Sequence, residues 1–206
     1  MQKILFQGDS ITDCGRNKEN DINKGNGYPN LIAARMGFEH PGKYEFINRG
    51  ISGNRVTDLY ARIKRDVLNL NPDYISILIG VNDVWHEFER QDGVDENKFE
   101  KVYDMLIVEI KESLPKTKIM ILEPFVTQST ATENNWEVFS KEVVKRADAS
   151  RRVAEKNNLI FVPLQKKFDE MLSVNAEPYW TLEGIHPTSP GHELIAREWM
   201  TGFMKL

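Results

Sequence analysis

The sequence predicts an α/β protein, a three-layer α/β/α sandwich on a five-stranded parallel sheet. Five short apolar segments recur along the 206 residues, and each ends within two residues of a glycine or a proline. Amphipathic stretches lie between them. The segment Tyr74–Ile79 is apolar almost throughout, which is typical of a strand buried on both faces. Alternating strands and helices imply a parallel sheet between two helical layers.

The strands are predicted from where each apolar run begins and stops. The first stops at Gly8 and the last before Pro163. In chain order they are Ile4–Gln7, Tyr44–Asn48, Tyr74–Ile79, Lys118–Leu122 and Leu159–Val162.

Four helices are predicted from apolar residues at helical spacing. The first covers residues 56–67, before Asn71-Pro72, and the second runs from Phe99 to Leu114. A third covers 136–156. The last starts with Ser189 as N-cap and Pro190 at the first helical position, and runs to about Met204.

Composition restricts the kind of protein this is. We read residues 1–206 as one domain, because no linker or repeat divides them. The net charge of -4 offers no basic surface for nucleic acid or an anionic membrane. Cys14 is the single cysteine, so no intramolecular disulfide can form. With no membrane-length apolar run and no signal-peptide core at the N-terminus, a cytoplasmic location is expected.

Two polar loops, 13–27 and 127–135, follow predicted strands. They should therefore lie at the carboxyl edge of the sheet, where such folds bind ligands. Loops of this length are typical of lids and binding loops, and a solvated insertion is an equal alternative.

Ser10, in Gly8-Asp9-Ser10, follows the first strand, where a serine projects from the carboxyl edge with backbone N–H groups nearby to receive an oxyanion. Alone, this tripeptide more often only caps a helix. Three further blocks accompany it. The four are Gly8-Asp9-Ser10-Ile11-Thr12-Asp13, Asn48-Arg49-Gly50-Ile51-Ser52-Gly53-Asn54, Gly80-Val81-Asn82-Asp83 and His186-Pro187.

In order and separation these blocks resemble the signature of the SGNH (GDSL-type) hydrolases, whose fold is flavodoxin-like. The resemblance implies that Ser10 is the nucleophile and His186 its base. It also implies an oxyanion hole made by the N–H groups of Ser10 and Gly53 and the amide of Asn82. The residue types suit these roles, since glycine allows close backbone approach, asparagine donates without charge, and histidine titrates near neutrality.

Glu183 departs from the family pattern, which usually has aspartate three residues before the histidine. Three alternatives follow: Glu183 orients His186, the histidine instead contacts a backbone carbonyl, or activity is low. Glutamate takes this role in some α/β-hydrolases, so we favour the first.

Trp85 and Asp9 are predicted to line the substrate site. Trp85 follows Asn82-Asp83 and would stack on a sugar ring or floor an acyl pocket, although packing alone explains it equally well. Asp9 also fits a structural role, fixing the nucleophile turn through backbone hydrogen bonds.

The other histidines and the cysteine suggest no second site. His192 is predicted to be solvated in the first turn of the last helix. His40 and His86 lack metal-ligand spacing, and Cys14 has no paired histidine motif, so we expect no metal, no cofactor and an ordinary thiol.

The residues of these blocks are most similar to those of acetylxylan-esterase-like bacterial members of the family. This implies a small acyl ester as substrate, an O-acetyl group on a sugar or oligosaccharide, and a homo-oligomer. Three alternatives stay open: a broad-specificity lipase or thioesterase, a flavodoxin-like binding module, and a catalytically silent sugar-binding relative.

Overall fold

The computed structural model describes residues 1–206 and contains one five-stranded sheet in which every strand pair is parallel. The spatial order of the strands is β2-β1-β3-β4-β5. The strands are β1 (Gln2–Gly8), β2 (Tyr44–Asn48), β3 (Tyr74–Leu78), β4 (Lys118–Leu122) and β5 (Ile160–Val162). The predicted fold class is confirmed, and every predicted strand boundary lies within two residues of the observed one.

Nine α-helices accompany the sheet, and short 3₁₀ turns lie at Leu68–Leu70 and Glu133–Asn135. The helices are α1 (Ser10–Asp13), α2 (Tyr28–Glu39), α3 (Val56–Ala61), α4 (Ile63–Asp66), α5 (Val81–Arg90), α6 (Glu96–Ser113), α7 (Trp136–Lys156), α8 (Gln165–Leu172) and α9 (Ser189–Phe203). None of them is both long enough and apolar enough to cross a membrane.

Both faces of the sheet are buried, because successive strand side chains point to opposite sides. In β1, Ile4 and Phe6 belong to one apolar cluster and Leu5 to the other. Residues of α2, α8 and α9 complete the first cluster. Residues of α3 and α6 complete the second, to which the carboxyl half of α7 also contributes. Burial on both faces explains why the strands read as continuous apolar runs.

The predicted helix over residues 56–67 is wrong in its continuity. It is divided into α3 and α4 at Arg62, whose backbone leaves the helical region at φ -107° and ψ 10°. The apolar period continues across the break, and Val56, Leu59 and Ile63 are all buried. Because the apolar spacing is unbroken, it did not reveal the break at Arg62.

The start of the last helix is also corrected. Thr188, rather than Ser189, is the N-cap of α9, and its side chain accepts a hydrogen bond from the N–H of Gly191. Helices α1, α2, α5 and α8 were not predicted. Gly27 precedes α2 without a side-chain cap, so the usual N-terminal signal is missing there.

The strand order creates a crevice at the carboxyl edge of the sheet. After β1 the chain crosses to β2 on one side, whereas β3, β4 and β5 follow on the other. The carboxyl ends of β1 and β3 are adjacent, with Gly8 opposite Leu78. Such a switch point is where open parallel sheets bind their ligands.

Candidate active site

Ser10 and Asn82 both lie at this switch point. Ser10 is the first residue of α1, directly after β1, and Asn82 is the second residue of α5, after β3. The N–H of Ser10 has no partner within α1, because the first N–H groups of a helix cannot bond inside it. The fold therefore brings a hydroxyl, a free backbone donor and an amide side chain to one edge.

Ser10, His186 and Glu183 form a continuous row of hydrogen bonds. The distance from Oγ of Ser10 to Nε2 of His186 is 2.8 Å. On the other side of the ring, Nδ1 of His186 bonds to Oε1 of Glu183, which also accepts the backbone N–H of His186 at 3.1 Å. With Nδ1 as donor, Nε2 is left to accept a proton from Ser10.

The contact with Glu183 also sets the charge preference of the imidazole. The hydrogen bond to this carboxylate raises the pKa of His186 above its ordinary value, against the opposing effect of partial burial. Of the three alternatives raised by the sequence, this geometry is the one expected if Glu183 orients His186.

A hairpin from Trp180 to Thr188 carries both residues. Thr181 bridges to Pro187, and the N–H of Leu182 bonds to the carbonyl of His186 at 2.8 Å. Gly184 at its tip has φ +103°, and a Cβ there would lie 2.6 Å from the carbonyl oxygen of Thr127. Only glycine satisfies both constraints, so this position fixes how the hairpin packs.

The loop 127–135 supports this hairpin. The N–H of Thr127 bonds to the carbonyl of Gly184 at 2.9 Å, and the N–H of Ala131 bonds to the carbonyl of Glu183 at 3.0 Å. Thr132 is buried and bonds back to the carbonyl of Thr127. These bonds hold the loop against the back of the hairpin.

The second polar loop, 13–27, packs against the segment that leads to Gly53. Oδ2 of Asp13 accepts bonds from the backbone N–H and the hydroxyl of Ser52, both at 3.1 Å. Nε of Arg16 donates to the carbonyl of Gly50 at 2.7 Å. Two buried polar residues therefore attach this loop to the adjoining turn.

Gly53 and Asn82 lie on neighbouring segments that are bonded to each other. Gly53 has φ +80°, a conformation that side chains rarely allow. Nδ2 of Asn82 donates to the carbonyl of Asn54 at 3.1 Å. This bond uses one of the two amide hydrogens and leaves the other without a partner within the protein.

Asp83 is a residue to which the sequence reasoning gave no role. It is fully buried, and its carboxyl accepts the N–H of Val56 at 3.1 Å. Burial raises the pKa of Asp83 to about 8. It joins the start of α5 to the start of α3. In the sequence, its position beside Asn82 in the third block was the one indication that Asp83 has a role in the site.

Asp9 does not fit the prediction that it lines the substrate site. It is only 1% exposed, and Oδ1 accepts the N–H of Ile11 at 3.0 Å, which caps α1. Burial raises the pKa of Asp9 to about 7. It therefore holds the turn at Ser10 from beneath, as the structural alternative expects.

Trp85 lies beside the imidazole, with its ring centroid 5.8 Å from that of His186. It also lines a cavity of about 320 Å³ between α5 and the loop 127–135. The other lining residues are Phe88, Glu89, Ala131, Thr132, Asn135 and Phe139. An aromatic face with amide and carboxylate groups is chemically suited to a sugar ring.

His192 is buried, so the prediction of a solvated histidine is wrong. Its Nδ1 accepts the N–H of Tyr28 at 3.2 Å, which places the proton of the neutral ring on Nε2, 3.3 Å from Sγ of Cys14. Burial lowers the pKa of His192 to about 4. Both partners are distant in sequence, so the position in α9 alone did not reveal them.

Comparison with known proteins gives consistent matches over nearly the whole chain. Residues 6–194 match the model of the GDSL-like lipase/acylhydrolase family. A curated acetylxylan esterase from Geobacillus stearothermophilus is 31% identical over 209 residues, covering 97% of this chain and 92% of that protein.

Solved structures agree with this match. The crystal structure of an acetylxylan esterase from Geobacillus stearothermophilus has a TM-score of 0.87 and 31% identity, covering 98% of this chain and 93% of that one. A protein described as a GDSL-like lipase, from Parabacteroides merdae, has a TM-score of 0.91 and 36% identity, covering 98% and 94%.

Proposed function

Because the chain belongs to the GDSL-like lipase/acylhydrolase family, we propose that it hydrolyses small acyl esters through Ser10, His186 and Glu183. The membership confirms the predicted resemblance and makes the protein a carboxylic ester hydrolase, which removes the flavodoxin-like binding module from the alternatives. The roles of individual residues and the identity of the ester are the proposal.

The observation that carries the proposal is the 2.8 Å contact between Oγ of Ser10 and Nε2 of His186. As Oγ attacks the ester carbonyl, Nε2 takes its proton, and Glu183 stabilises the imidazolium that forms. His186 then gives the proton to the leaving alcohol. In the second half, His186 activates a water, which attacks the acyl-enzyme and returns free Ser10 and the acid.

Each tetrahedral intermediate carries a negative oxygen that needs donors already in place. We assign three: the N–H groups of Ser10 and Gly53 and the free amide hydrogen of Asn82. The first comes from a helix N-terminus, where the backbone dipole also favours negative charge. The other two are fixed by the φ of Gly53 and by the bond from Asn82 to Asn54.

For the substrate, we propose an O-acetyl group carried by a sugar or oligosaccharide. Two observations support this choice. A curated relative and a solved structure that each match nearly the whole chain are acetylxylan esterases. The cavity beside Trp85 offers an aromatic face together with Glu89 and Asn135, so a leaving sugar has both a stacking surface and hydrogen-bond partners.

The single domain over residues 1–206, the cytoplasmic location and the homo-oligomer stay predictions. One sheet carries both apolar clusters, which supports the single domain.

The first experiment compares the wild type with Ser10→Ala on 4-nitrophenyl acetate. Ser113→Ala, an exposed serine at the end of α6, is the matched control. We expect turnover to vanish only in Ser10→Ala, with circular dichroism unchanged in all three proteins. Turnover that persists in Ser10→Ala would remove the nucleophile, and no turnover in folded wild type would favour the silent sugar-binding relative.

The acyl and alcohol groups are then tested separately. Acetylated xylo-oligosaccharide and 4-nitrophenyl acetate are compared with 4-nitrophenyl octanoate. A clear preference for acetyl supports the proposed substrate, whereas faster cleavage of octanoate would favour the broad-specificity lipase or thioesterase.

A further inference from the structure

Arg62 is a nearly buried cation outside all four sequence blocks. It lies at the break between α3 and α4, and its side chain is 9% exposed. A buried guanidinium is costly unless its N–H groups find acceptors. Its acceptors therefore show what this side chain is placed to hold.

The guanidinium donates to three acceptors on two segments of the candidate site. Nε donates to Oδ1 of Asn54 at 2.8 Å, Nη1 to the carbonyl of Arg49 at 2.8 Å, and Nη2 to the carbonyl of Gly8 at 3.2 Å. Gly8 ends β1, whereas Arg49 and Asn54 lie at the two ends of the turn that contains Gly53.

Two of these acceptors lie within two residues of a proposed oxyanion donor. Gly8 lies two residues before Ser10, and Asn54 directly follows Gly53. The carbonyl of Asn54 accepts the bond from Nδ2 of Asn82. One planar group therefore contacts the two segments that supply the backbone donors, and reaches the third donor through Asn54.

We propose that Arg62 is a positioning residue that aligns the three oxyanion donors with one another. The inference rests on the proposed function, because it takes the roles of Ser10, Gly53 and Asn82 as its premise. The fixed, planar directions of the guanidinium N–H groups match the task. A lysine ammonium is a compact point charge with three rotating donors and cannot reproduce them.

Asp66 anchors the guanidinium and provides a way to separate positioning from stability. Its Oδ2 accepts from Nη1 of Arg62 at 2.9 Å. Arg65 binds the same carboxylate through Nε and Nη2, at 2.8 Å and 3.0 Å. Arg65 is 73% exposed, and its hydrogen bonds reach only Asp66. It shares the ion pair of Arg62 without its contacts to the site.

The test compares Arg62→Ala, Arg62→Lys and the control Arg65→Ala on 4-nitrophenyl acetate, with Ser10→Ala alongside and thermal unfolding recorded for all. We expect kcat of Arg62→Ala to fall about 10²-fold, as for an active-site displacement of about 1 Å, while KM stays within about threefold. Arg65→Ala should keep kcat within about twofold. Arg62→Lys should lose at least about tenfold, although it keeps the charge.

Added guanidinium chloride at millimolar concentration should raise the rate of Arg62→Ala several-fold and leave Arg65→Ala unchanged, a response that a purely structural role does not give. Full activity in Arg62→Ala or Arg62→Lys, or an equal loss in Arg65→Ala, would overturn the inference while leaving an inactive Ser10→Ala in agreement with the proposed function. If Arg62→Ala does not fold, Arg62→Lys alone decides between these results. Turnover in Ser10→Ala would overturn both.

Discussion

Glu183 contacts His186 at two points, because its Oε1 accepts both the backbone N–H and Nδ1 of the same residue. The carboxylate is thus placed by the main chain of the residue whose ring it orients. The extra methylene relative to aspartate is accommodated within the hairpin, where Gly184 and Ile185 separate the two positions. This is a local solution, and it makes the role of Glu183 directly testable.

Glu183→Gln should lower kcat by between about 10²- and 10⁴-fold, since the imidazolium loses its charged partner. It should also move the pH profile. The base works only when His186 is neutral, so activity rises with pH through the pKa of His186, which Glu183 raises. Removing that charge lowers this pKa and shifts the acidic limb of kcat/KM to lower pH. An unmoved limb with an unchanged rate would show that Glu183 is not the orienting group.

Asn82→Ala should lower kcat on 4-nitrophenyl acetate by about 10²–10³-fold, or about 2.7–4 kcal/mol of transition-state stabilisation, with little change in KM. The reason is that the amide hydrogen not bonded to Asn54 is proposed to meet the oxyanion only after attack. Asn97→Ala, an exposed substitution on α6, serves as the control. A loss confined to KM would instead indicate that Asn82 binds the substrate.

Trp85→Ala should discriminate between two substrates of different size. The indole is proposed to stack on the sugar, so KM for acetylated xylo-oligosaccharide should rise about tenfold, near the upper range of a stacking contact. kcat/KM for 4-nitrophenyl acetate should change less than about threefold, and Trp85→Phe should be intermediate on the sugar. Equal losses on both esters would mean that Trp85 only packs against His186.

Asp83→Asn should change how stability depends on pH. The folded-state pKa of Asp83 is raised to about 8, whereas an unfolded aspartate titrates near 3.9. The folded protein therefore binds the extra proton between these values, and this contribution to stability is lost as pH rises through the window. The free energy of unfolding of Asp83→Asn, relative to wild type, should increase from about pH 4 to about pH 8, by a few kcal/mol at most. Exposed Asp148→Asn gives the baseline, and parallel curves for Asp83→Asn and wild type would contradict the prediction.

The sequence was most informative where structure is set by local pattern. The strands Tyr44–Asn48 and Lys118–Leu122 match their predicted bounds. Their apolar residues and the glycine or proline that follows each strand are local signals, so the sequence alone is enough to locate them. The resemblance of the four blocks to one family predicted that Ser10, Asn82 and His186 act together. Ser10 and Asn82 follow the adjacent strands β1 and β3, whose carboxyl ends lie side by side, whereas the 180–188 hairpin brings His186 to Ser10.

Prediction was wrong where a side chain has a partner far along the chain. Arg62 interrupts a helix that its apolar neighbours would continue, and its acceptors lie as far away as Gly8. His192 is buried because Tyr28 and Cys14 bond to it from the other end of the sequence. Neither the apolar spacing of a helix nor its capping residues indicates contacts with residues far along the chain. The break at Arg62 and the burial of His192 were therefore visible only in the structure.

The short hairpin has a consequence for how the site tolerates change. The separation of Glu183 from His186 is set within one turn of chain, so it travels with the hairpin as a rigid unit. Gly184 and its bonds to Thr127 fix that unit against the rest of the protein. Within the row Ser10, His186 and Glu183, only the placement of this unit relative to Ser10 then remains a long-range coordinate. Substitutions that preserve that placement should leave the row intact.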